Sequence, residues 1–286
     1  MVVLVRFGEI ALKSRYVRRQ LRDRLIANIQ DMFAAEGMEC VTEADEARVY
    51  VHVDDVEAAR AILARVFGIV SMSQAVETRA DLEAIRSAVL EEAARMGLAS
   101  PTSFAIRARR VGDQPFTSQG LAKDLGAAIQ RAYPGVRVDL GHPDVEMHVE
   151  VRRNRAFVFQ EIWPGPGGLP LGSQGRGLAI VEDDAGLVAA WMGMKRGCRL
   201  VVASSYDGKA AAPLHRWDVH LKILSTNGVN LEELVRLARA EAVFVGTRGD
   251  QFSPESRPSV AVPVFEPVIG LTADEIESLA RRIREA

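Results

Sequence analysis

The spacing of apolar positions near the start of the chain switches between the periods of strands and helices. Residues 2–7 are an apolar run typical of a strand, and apolar side chains recur at helical spacing over residues 17–33. Residues 48–53 then alternate as a strand, and a helix at 56–63 leads into the apolar run 67–72. This order predicts a βαββαβ unit of the ferredoxin-like type.

A second set of elements follows with the same change of period. Apolar residues at helical spacing over 82–96 precede the strand-like run 103–110, and a further helix is predicted at 121–129. Residues 145–151 and 156–162 then alternate as two strands. Because Arg153 and Asn154 lie between them, we expect a β-hairpin.

The remaining chain predicts a third domain of a different class. Residues 163–175, WPGPGGLPLGSQG, are too rich in proline and glycine for a helix or a central strand, and they mark a boundary. Strands are predicted at 178–181, 199–204, 242–245 and 260–264, and helices at 187–195, 215–224, 231–240 and 273–283. This alternation predicts a mostly parallel sheet with helices on both faces.

Composition excludes several classes of protein. The chain has 286 residues, 48% of them hydrophobic, and a net charge of −2, which argues against a uniformly basic nucleic-acid binder. No apolar run approaches a membrane span, and the first residues do not resemble a signal peptide, so we expect a cytoplasmic protein with no membrane partner. The two cysteines, Cys40 and Cys198, form neither a disulfide framework nor a metal motif, and we expect both in the core.

Local groups of basic residues predict an anionic partner despite the acidic net charge. The candidate residues for binding this anionic partner are Lys13, Arg15, Arg18, Arg107, Arg109, Arg110, Arg152 and Arg153. Each group alone is better explained as a solvated helix face or strand end, and the three groups together favour an anionic partner. Arg109 and Arg110 could instead pair with carboxylates such as Glu146 and Glu150 and stabilise the fold.

Residues 168–198 combine two opposing signals. A glycine-rich run enters a predicted strand, a turn follows, and a helix ends at Arg196, which is the arrangement of a phosphate-binding loop. The turn itself is Glu182, Asp183 and Asp184. Such a loop binds an anion through backbone N–H groups at a helix N-terminus, and three carboxylates there would repel a phosphate.

Several segments together resemble the tRNA 4-thiouridine synthase (tRNA sulfurtransferase) family. They are RFGEIALKSR, VFGIVSMSQA, FAIRARR, VDLGHPDVEMHVEVR, GPGGLPLGSQG and VAAWMGMKRGC, and their order spans nearly the whole chain. The resemblance implies a ferredoxin-like domain at 1–76, a THUMP RNA-binding domain at 77–165, a linker at 166–176 and a Rossmann-like three-layer α/β/α domain of the PP-loop type at 177–286. The fold class is therefore a multidomain combination of α+β and α/β units.

The resemblance also exposes departures from the chemistry of that family. Active members carry S-G-G-x-D-S before the VAAW-like helix, where this chain has V-E-D-D-A-G at residues 181–186. Family members form a persulfide on a cysteine late in this domain, and no cysteine follows Cys198. We therefore expect a degenerate PP-loop without a nucleotide cofactor, a catalytic residue or a metal site. Asp184 is expected to cap the helix rather than to bind a metal.

Three functions remain open at this point. The first is a tRNA-binding relative of the sulfurtransferases that no longer adenylates uridine and that contacts the acceptor-stem region. The second is an enzyme or subunit of tRNA thio-modification, with an unusual nucleotide site or a partner that supplies the missing loop and cysteine. The third is an assembly subunit whose C-terminal domain contacts another protein. The resemblance also allows a homodimer.

Overall fold

A computed structural model describes residues 1–8, 14–205, 208–255 and 257–286. Its strands are β1 (Val2–Phe7), β2 (Val41–Ala44), β3 (Arg48–His52), β4 (Ile69–Arg79), β5 (Ser103–Val111), β6 (Arg137–Val138), β7 (Val145–Arg152), β8 (Arg155–Phe159), β9 (Trp163–Pro164), β10 (Arg176–Ile180), β11 (Arg199–Ser204), β12 (Lys222–Ser225), β13 (Ala242–Phe244) and β14 (Val264–Phe265). Its helices are α1 (Arg15–Ala35), α2 (Val56–Leu63), α3 (Leu82–Arg95), α4 (Ser118–Ala132), α5 (Asp184–Lys195), α6 (Leu231–Ala238) and α7 (Ala273–Glu285).

These elements form two compact units. The first contains residues 1–4, 50–56 and 72–163, and the second contains residues 5–49, 57–71 and 164–286. The fold class expected from the sequence is confirmed, because α+β elements are followed by a parallel α/β sheet. The exact domain boundaries stay a prediction.

The sheet of the first unit places the carboxyl ends of its parallel strands β5 and β7 side by side. β5 pairs in parallel with β7, and β7 pairs with β8 in the expected antiparallel hairpin. The side chains of Phe104, Ile106 and Met147 point from this sheet into a core shared with α3 and α4. Because β5 and β7 run in the same direction, their carboxyl ends lie side by side at one edge.

Polar side chains fix where the two helices of the first unit begin. The carboxylate of Asp81 accepts a hydrogen bond from the Ala84 amide at 2.9 Å at the start of α3. The hydroxyl of Thr117 accepts one from the Gly120 amide at 2.9 Å at the start of α4. Each cap satisfies an N–H group that has no partner within its own helix.

The C-terminal part of the second unit is a five-stranded parallel sheet with the order β12-β11-β10-β13-β14. One face packs against α5 and α7, and the other packs against α6. The chain runs from β10 to β11 on one side of β10 and from β13 to β14 on the other side. The boundary between β10 and β13 is therefore the point at which the strand order reverses, where sheets of this kind usually bind ligands.

The expected helix over residues 215–224 is wrong. The chain forms one 3-10 turn at Ala212–Arg216 and then strand β12, which pairs in parallel with β11. Pro213 suits the start of a short turn, and the Trp217 indole is buried with its N–H donated to the Ile283 carbonyl at 3.1 Å. Tertiary packing of Trp217 thus overrides the helical spacing. The strand expected at 260–264 is also shorter, since β14 contains just Val264 and Phe265.

An aromatic cluster forms the centre of the second unit. The ring of Phe67 stacks on Trp217 at a centroid distance of 5.2 Å and meets Trp191 edge-on at 5.6 Å. All three side chains are buried. Gly168 lets the linker approach the end of α5, because a Cβ there would lie 2.0 Å from the Lys195 carbonyl oxygen.

We expect Phe67→Ala to destabilise the second unit by about 3–5 kcal/mol, because it removes buried aromatic contacts and leaves a cavity. Phe252→Ala is the matched control, since the Phe252 side chain is 42% exposed. Thermal unfolding followed by tryptophan fluorescence measures both. Equal melting temperatures for the two variants would contradict the central role of this cluster.

Candidate functional site

The sequence predicts two candidate sites, and the first is the loop between β10 and α5. The loop residues Val181, Glu182 and Asp183 follow the carboxyl end of β10, beside the ends of β11 and β12. The three carboxylates at 182–184 therefore lie where a parallel sheet usually presents its ligand-binding groups. Each carboxylate has a different set of partners.

Glu182 is held by hydroxyl and amide donors from the neighbouring strand ends. Its carboxylate accepts hydrogen bonds from the Ser205 backbone amide at 3.1 Å and from the Ser205 hydroxyl. The Thr226 hydroxyl donates to the other carboxylate oxygen at 3.4 Å. The Glu182 side chain thus joins the ends of three parallel strands.

Asp183 is the residue that caps α5. Its backbone is extended, and its carboxylate accepts a hydrogen bond from the Gly186 amide at 2.9 Å. The expectation that Asp184 is the cap is therefore wrong by one residue. The second carboxylate oxygen of Asp183 lies 3.6 Å from the Arg248 guanidinium.

Asp184 is the first residue of α5 and pairs with Arg284 of α7. Its carboxylate accepts hydrogen bonds from both terminal nitrogens of Arg284, and these raise the pKa of that guanidinium. An open cleft of about 530 Å³ lies beside this pair. Arginines and carboxylates both line the cleft, namely Arg248, Arg281, Arg284, Asp184, Glu277 and Glu285.

The space between α5 and the loop after β13 is closed by backbone. A Cβ on Gly246 would lie 2.3 Å from the Gly186 nitrogen, so only glycine permits this approach. Because β10 and β13 flank the reversal of strand order, this close approach lies beside the crevice in which a ligand would be expected.

Both thiols are half-buried, and Cys198 packs against the core of the second unit, so the expected core position is wrong for Cys40 and holds in part for Cys198. Burial raises the pKa of both Cys40 and Cys198, and the carboxylate of Glu241 raises that of Cys198 further. A raised pKa lowers the fraction of reactive thiolate at neutral pH.

The second site is a group of arginines at one end of the first unit. Arg109 is exposed on β5, and Arg110 next to it donates a hydrogen bond to the Gly112 carbonyl at 2.7 Å. Arg153 is exposed at the hairpin turn with a positive φ of 54°. The Arg153 amide bonds the Val111 carbonyl at 2.9 Å, which places the turn at the carboxyl end of β5. We call Arg109, Arg110 and Arg153 the basic sheet end.

Two of the candidate arginines are engaged by carboxylates. The Arg107 guanidinium donates to Glu146 at 2.7 and 2.9 Å. Arg152 donates to Glu150 at 3.1 Å, and the two side chains are 10% and 7% exposed. These two arginines are less available to a partner than those of the basic sheet end.

The remaining basic candidates belong to the segment around α1. Arg15 is exposed at the first position of that helix and Arg18 is half-buried. Lys13 lies outside the described residues.

The opposite end of the same sheet is acidic. A groove of about 440 Å³ there includes Asp144, Glu146 and Glu161 in its lining. The hydroxyl and amide of Ser103 bond Asp144 and lower the pKa of its carboxyl group, so it is charged at neutral pH. Carboxylates therefore line this end of the strands, and one of them, Glu146, is paired with Arg107.

Sequence reasoning missed the partners of the loop carboxylates, which are Ser205, Thr226, Arg248 and Arg284. Ser205 could have been found, because it follows the strand predicted at 199–204. Arg284 could not, since it is a hundred residues from Asp184.

Comparison with known families supports the assignment of the N-terminal part. A model of the ThiI ferredoxin-like domain matches residues 2–73, and a THUMP domain model matches residues 79–161.

Full-length relatives decide the family. A probable tRNA sulfurtransferase of Methanothermobacter thermautotrophicus is 32% identical over 333 residues, which cover 99% of this chain and 84% of the relative. The chain belongs to the tRNA sulfurtransferase family. A tRNA sulfurtransferase of Pyrobaculum aerophilum is 31% identical and is matched over 99% of this chain and 66% of its own length. Both alignments exceed the 286 residues of this family member, so the relatives contain segments that it lacks.

Solved structures support the fold across the whole chain. PH1313 from Pyrococcus horikoshii Ot3 superimposes with a TM-score of 0.85 at 28% identity and covers 99% of both chains. A 4-thiouridine synthetase crystallised with RNA and ATP has a TM-score of 0.77, with 99% of this chain and 84% of that chain covered. Its identity is 20%, so this second likeness concerns the fold alone.

The described part of this family member contains no group of three or more His, Cys, Asp or Glu side chains placed to hold a metal ion. Across the same residues, no helix is long and apolar enough to span a bilayer.

The raised pKa of the thiols gives a testable consequence. Because thiolate is the reactive form, we expect the alkylation of Cys40 and Cys198 by iodoacetamide at pH 7 to be slower than that of an unstructured cysteine peptide. The rate should rise with pH and reach half its maximum above the ordinary cysteine pKa. Mass spectrometry of each cysteine-containing peptide measures the two rates, and a midpoint below the ordinary value at either thiol would contradict this expectation.

Proposed function

We propose that this member of the tRNA sulfurtransferase family binds tRNA and does not adenylate it. The observation that carries the proposal is the position of the Glu182 carboxylate. It accepts hydrogen bonds from Ser205 and Thr226 at the ends of three parallel strands. The proposal extends to a cytoplasmic location and to the acceptor-stem region of tRNA as the bound element.

Electrostatics supports the loss of nucleotide binding. A carboxylate within ~4 Å of a phosphate costs about 1–4 kcal/mol, depending on the local dielectric. Glu182 and Asp183 are both exposed at the loop, where nucleotide phosphates would approach. The amide of Gly186 already donates to Asp183, so a helix N-terminal donor that could bind an anion is occupied.

The state of the thiols supports the absence of sulfur transfer by this chain alone. A persulfide-forming cysteine is most effective as a thiolate, and burial disfavours the thiolate at Cys40 and Cys198. No third cysteine exists in the sequence.

The basic sheet end supports tRNA binding through phosphates. Exposed guanidinium groups suit phosphate contacts, and the acidic groove at the other end of the sheet would repel RNA. Double-helical RNA has a deep, narrow major groove, so proteins read it mainly by shape and by backbone contacts. Aromatic residues make up 6% of the chain, so stacking on bases is a minor source of affinity.

The printed names of the relatives favour a second candidate, an enzyme or subunit of tRNA thio-modification. In that case the Glu182 carboxylate must leave Ser205 when nucleotide binds, or a protein partner bound to the C-terminal domain must supply a nucleotide site and a cysteine. A second copy of this chain could not supply either one, because it has the same loop and the same two cysteines.

We expect the purified protein to show no ATP binding of millimolar or better affinity and no tRNA-dependent release of pyrophosphate. The reason is the repulsion between the loop carboxylates and the phosphates of the nucleotide. Isothermal titration calorimetry with magnesium and ATP, followed by a pyrophosphate assay with bulk tRNA, measures both properties. Micromolar affinity for ATP would favour the enzyme instead.

Substituting both Arg109 and Arg110 by alanine should weaken tRNA binding. The slope of log affinity against log salt should become shallower by about one unit for each lost phosphate contact. Filter binding at several salt concentrations measures this slope. Arg236→Ala is the matched control, since this arginine of α6 is 77% exposed in the other unit.

A melting curve of the same double variant separates binding from stability. Normal tRNA affinity with a lower melting temperature would mean that Arg109 and Arg110 stabilise the fold and contact no RNA. Unchanged affinity together with an unchanged salt slope would remove both residues from the proposed surface.

A further inference from the structure

The donors around Glu182 form a set that suits one oxyanion. They are the backbone amide of Ser205, the hydroxyl of Ser205 and the hydroxyl of Thr226. All three converge on a single carboxylate group from two neighbouring strand ends. Two hydroxyls and one N–H without a positive charge match a small anion rather than a cation.

The backbone beneath this donor set is held by hydrogen bonds between the strand ends. The Ser204 hydroxyl is buried and donates to the Val181 carbonyl at 2.7 Å, and the Val181 amide bonds the Ala203 carbonyl at 2.9 Å. The Thr226 amide bonds the Ser204 carbonyl at 3.2 Å. The backbones that present the donors are therefore fixed by hydrogen bonds that do not involve Glu182.

We infer that the ends of β10, β11 and β12 form an oxyanion-binding site whose resident ligand is the chain's own Glu182 carboxylate. The inference deepens the proposed loss of nucleotide binding, because it identifies what occupies the strand ends. It also explains how the loop tolerates a glutamate at this position. The carboxylate fills a site that would otherwise bind an external anion.

The other two loop carboxylates have different partners from those of Glu182. Asp183 caps its own helix, and Asp184 pairs with Arg284, whose side chain is 44% exposed. Neither carboxylate is surrounded by hydroxyl donors from neighbouring strands. Removal of Glu182 should therefore vacate a preformed site, with half-buried donors that a small ion can reach from solvent.

Formate is the probe that tests this site, because it is the carboxylate group without the side chain. Glu182→Ala should lower the apparent melting temperature by about 2–4 °C, since three donors lose their acceptor. Sodium formate should then raise the melting temperature of this variant by more than sodium chloride does at equal ionic strength. It should have no such specific effect on the wild-type protein.

Glu277→Ala is the matched control, because Glu277 of α7 is 67% exposed and pairs with Arg281 on the same helix. The Glu277→Ala variant has no group of hydrogen-bond donors that has lost its acceptor. Sodium formate and sodium chloride should therefore change its melting temperature equally. Adding Ser205→Ala and Thr226→Ala to Glu182→Ala should abolish the response to formate.

Equal responses of Glu182→Ala to formate and chloride would overturn the inference. If that variant does not fold, Glu182→Asp replaces it, because the shorter side chain cannot reach both strand ends. A lower melting temperature that formate partly restores supports the site, and an unchanged melting temperature overturns it.

The outcome is independent of the ATP experiment. ATP binding by the wild-type protein together with formate rescue of Glu182→Ala would overturn the proposed function alone. Failure of formate rescue together with no ATP binding would overturn the oxyanion site alone.

Discussion

The contact between the Glu182 carboxylate and the donors of Ser205 and Thr226 connects the ends of three parallel strands. Open α/β sheets bind ligands at this edge because strand ends and helix N-termini present unpaired N–H groups there. Here the chain satisfies several of those groups with its own side chains. The cap made by Asp183 and the ion pair of Asp184 extend the same principle to the start of α5. On our account, a site built for a bound anion has become part of the fold.

The first unit presents the opposite electrostatic arrangement. Strand β5 and the turn after β7 place the exposed Arg109 and Arg153 at one end, while carboxylates line a groove at the other. Arg107 and Arg152 are paired with carboxylates and are therefore less available to a partner. The other candidate arginines of this unit lie at the basic sheet end. In the proposed function, this unit binds an anionic polymer and the parallel sheet carries out no nucleotide chemistry.

The spacing of apolar residues predicted helices and strands correctly where tertiary packing agrees with that spacing. α3, the hairpin of β7 and β8, and α5 all lie where the apolar pattern places them. The segment 215–224 failed because burial of Trp217 and the pairing of β12 with β11 are long-range effects. The acidic loop was visible in the sequence, but its partners were not. Thr226 is 44 residues from Glu182, and Arg284 is 100 from Asp184.

The most direct test of the central claim is a crystal structure grown with magnesium and ATP. The account predicts electron density for the Glu182 carboxylate on Ser205 and Thr226, with no nucleotide at the ends of β10, β11 and β12. Density for nucleotide phosphates at this edge, with the Glu182 side chain turned away from Ser205, would contradict it.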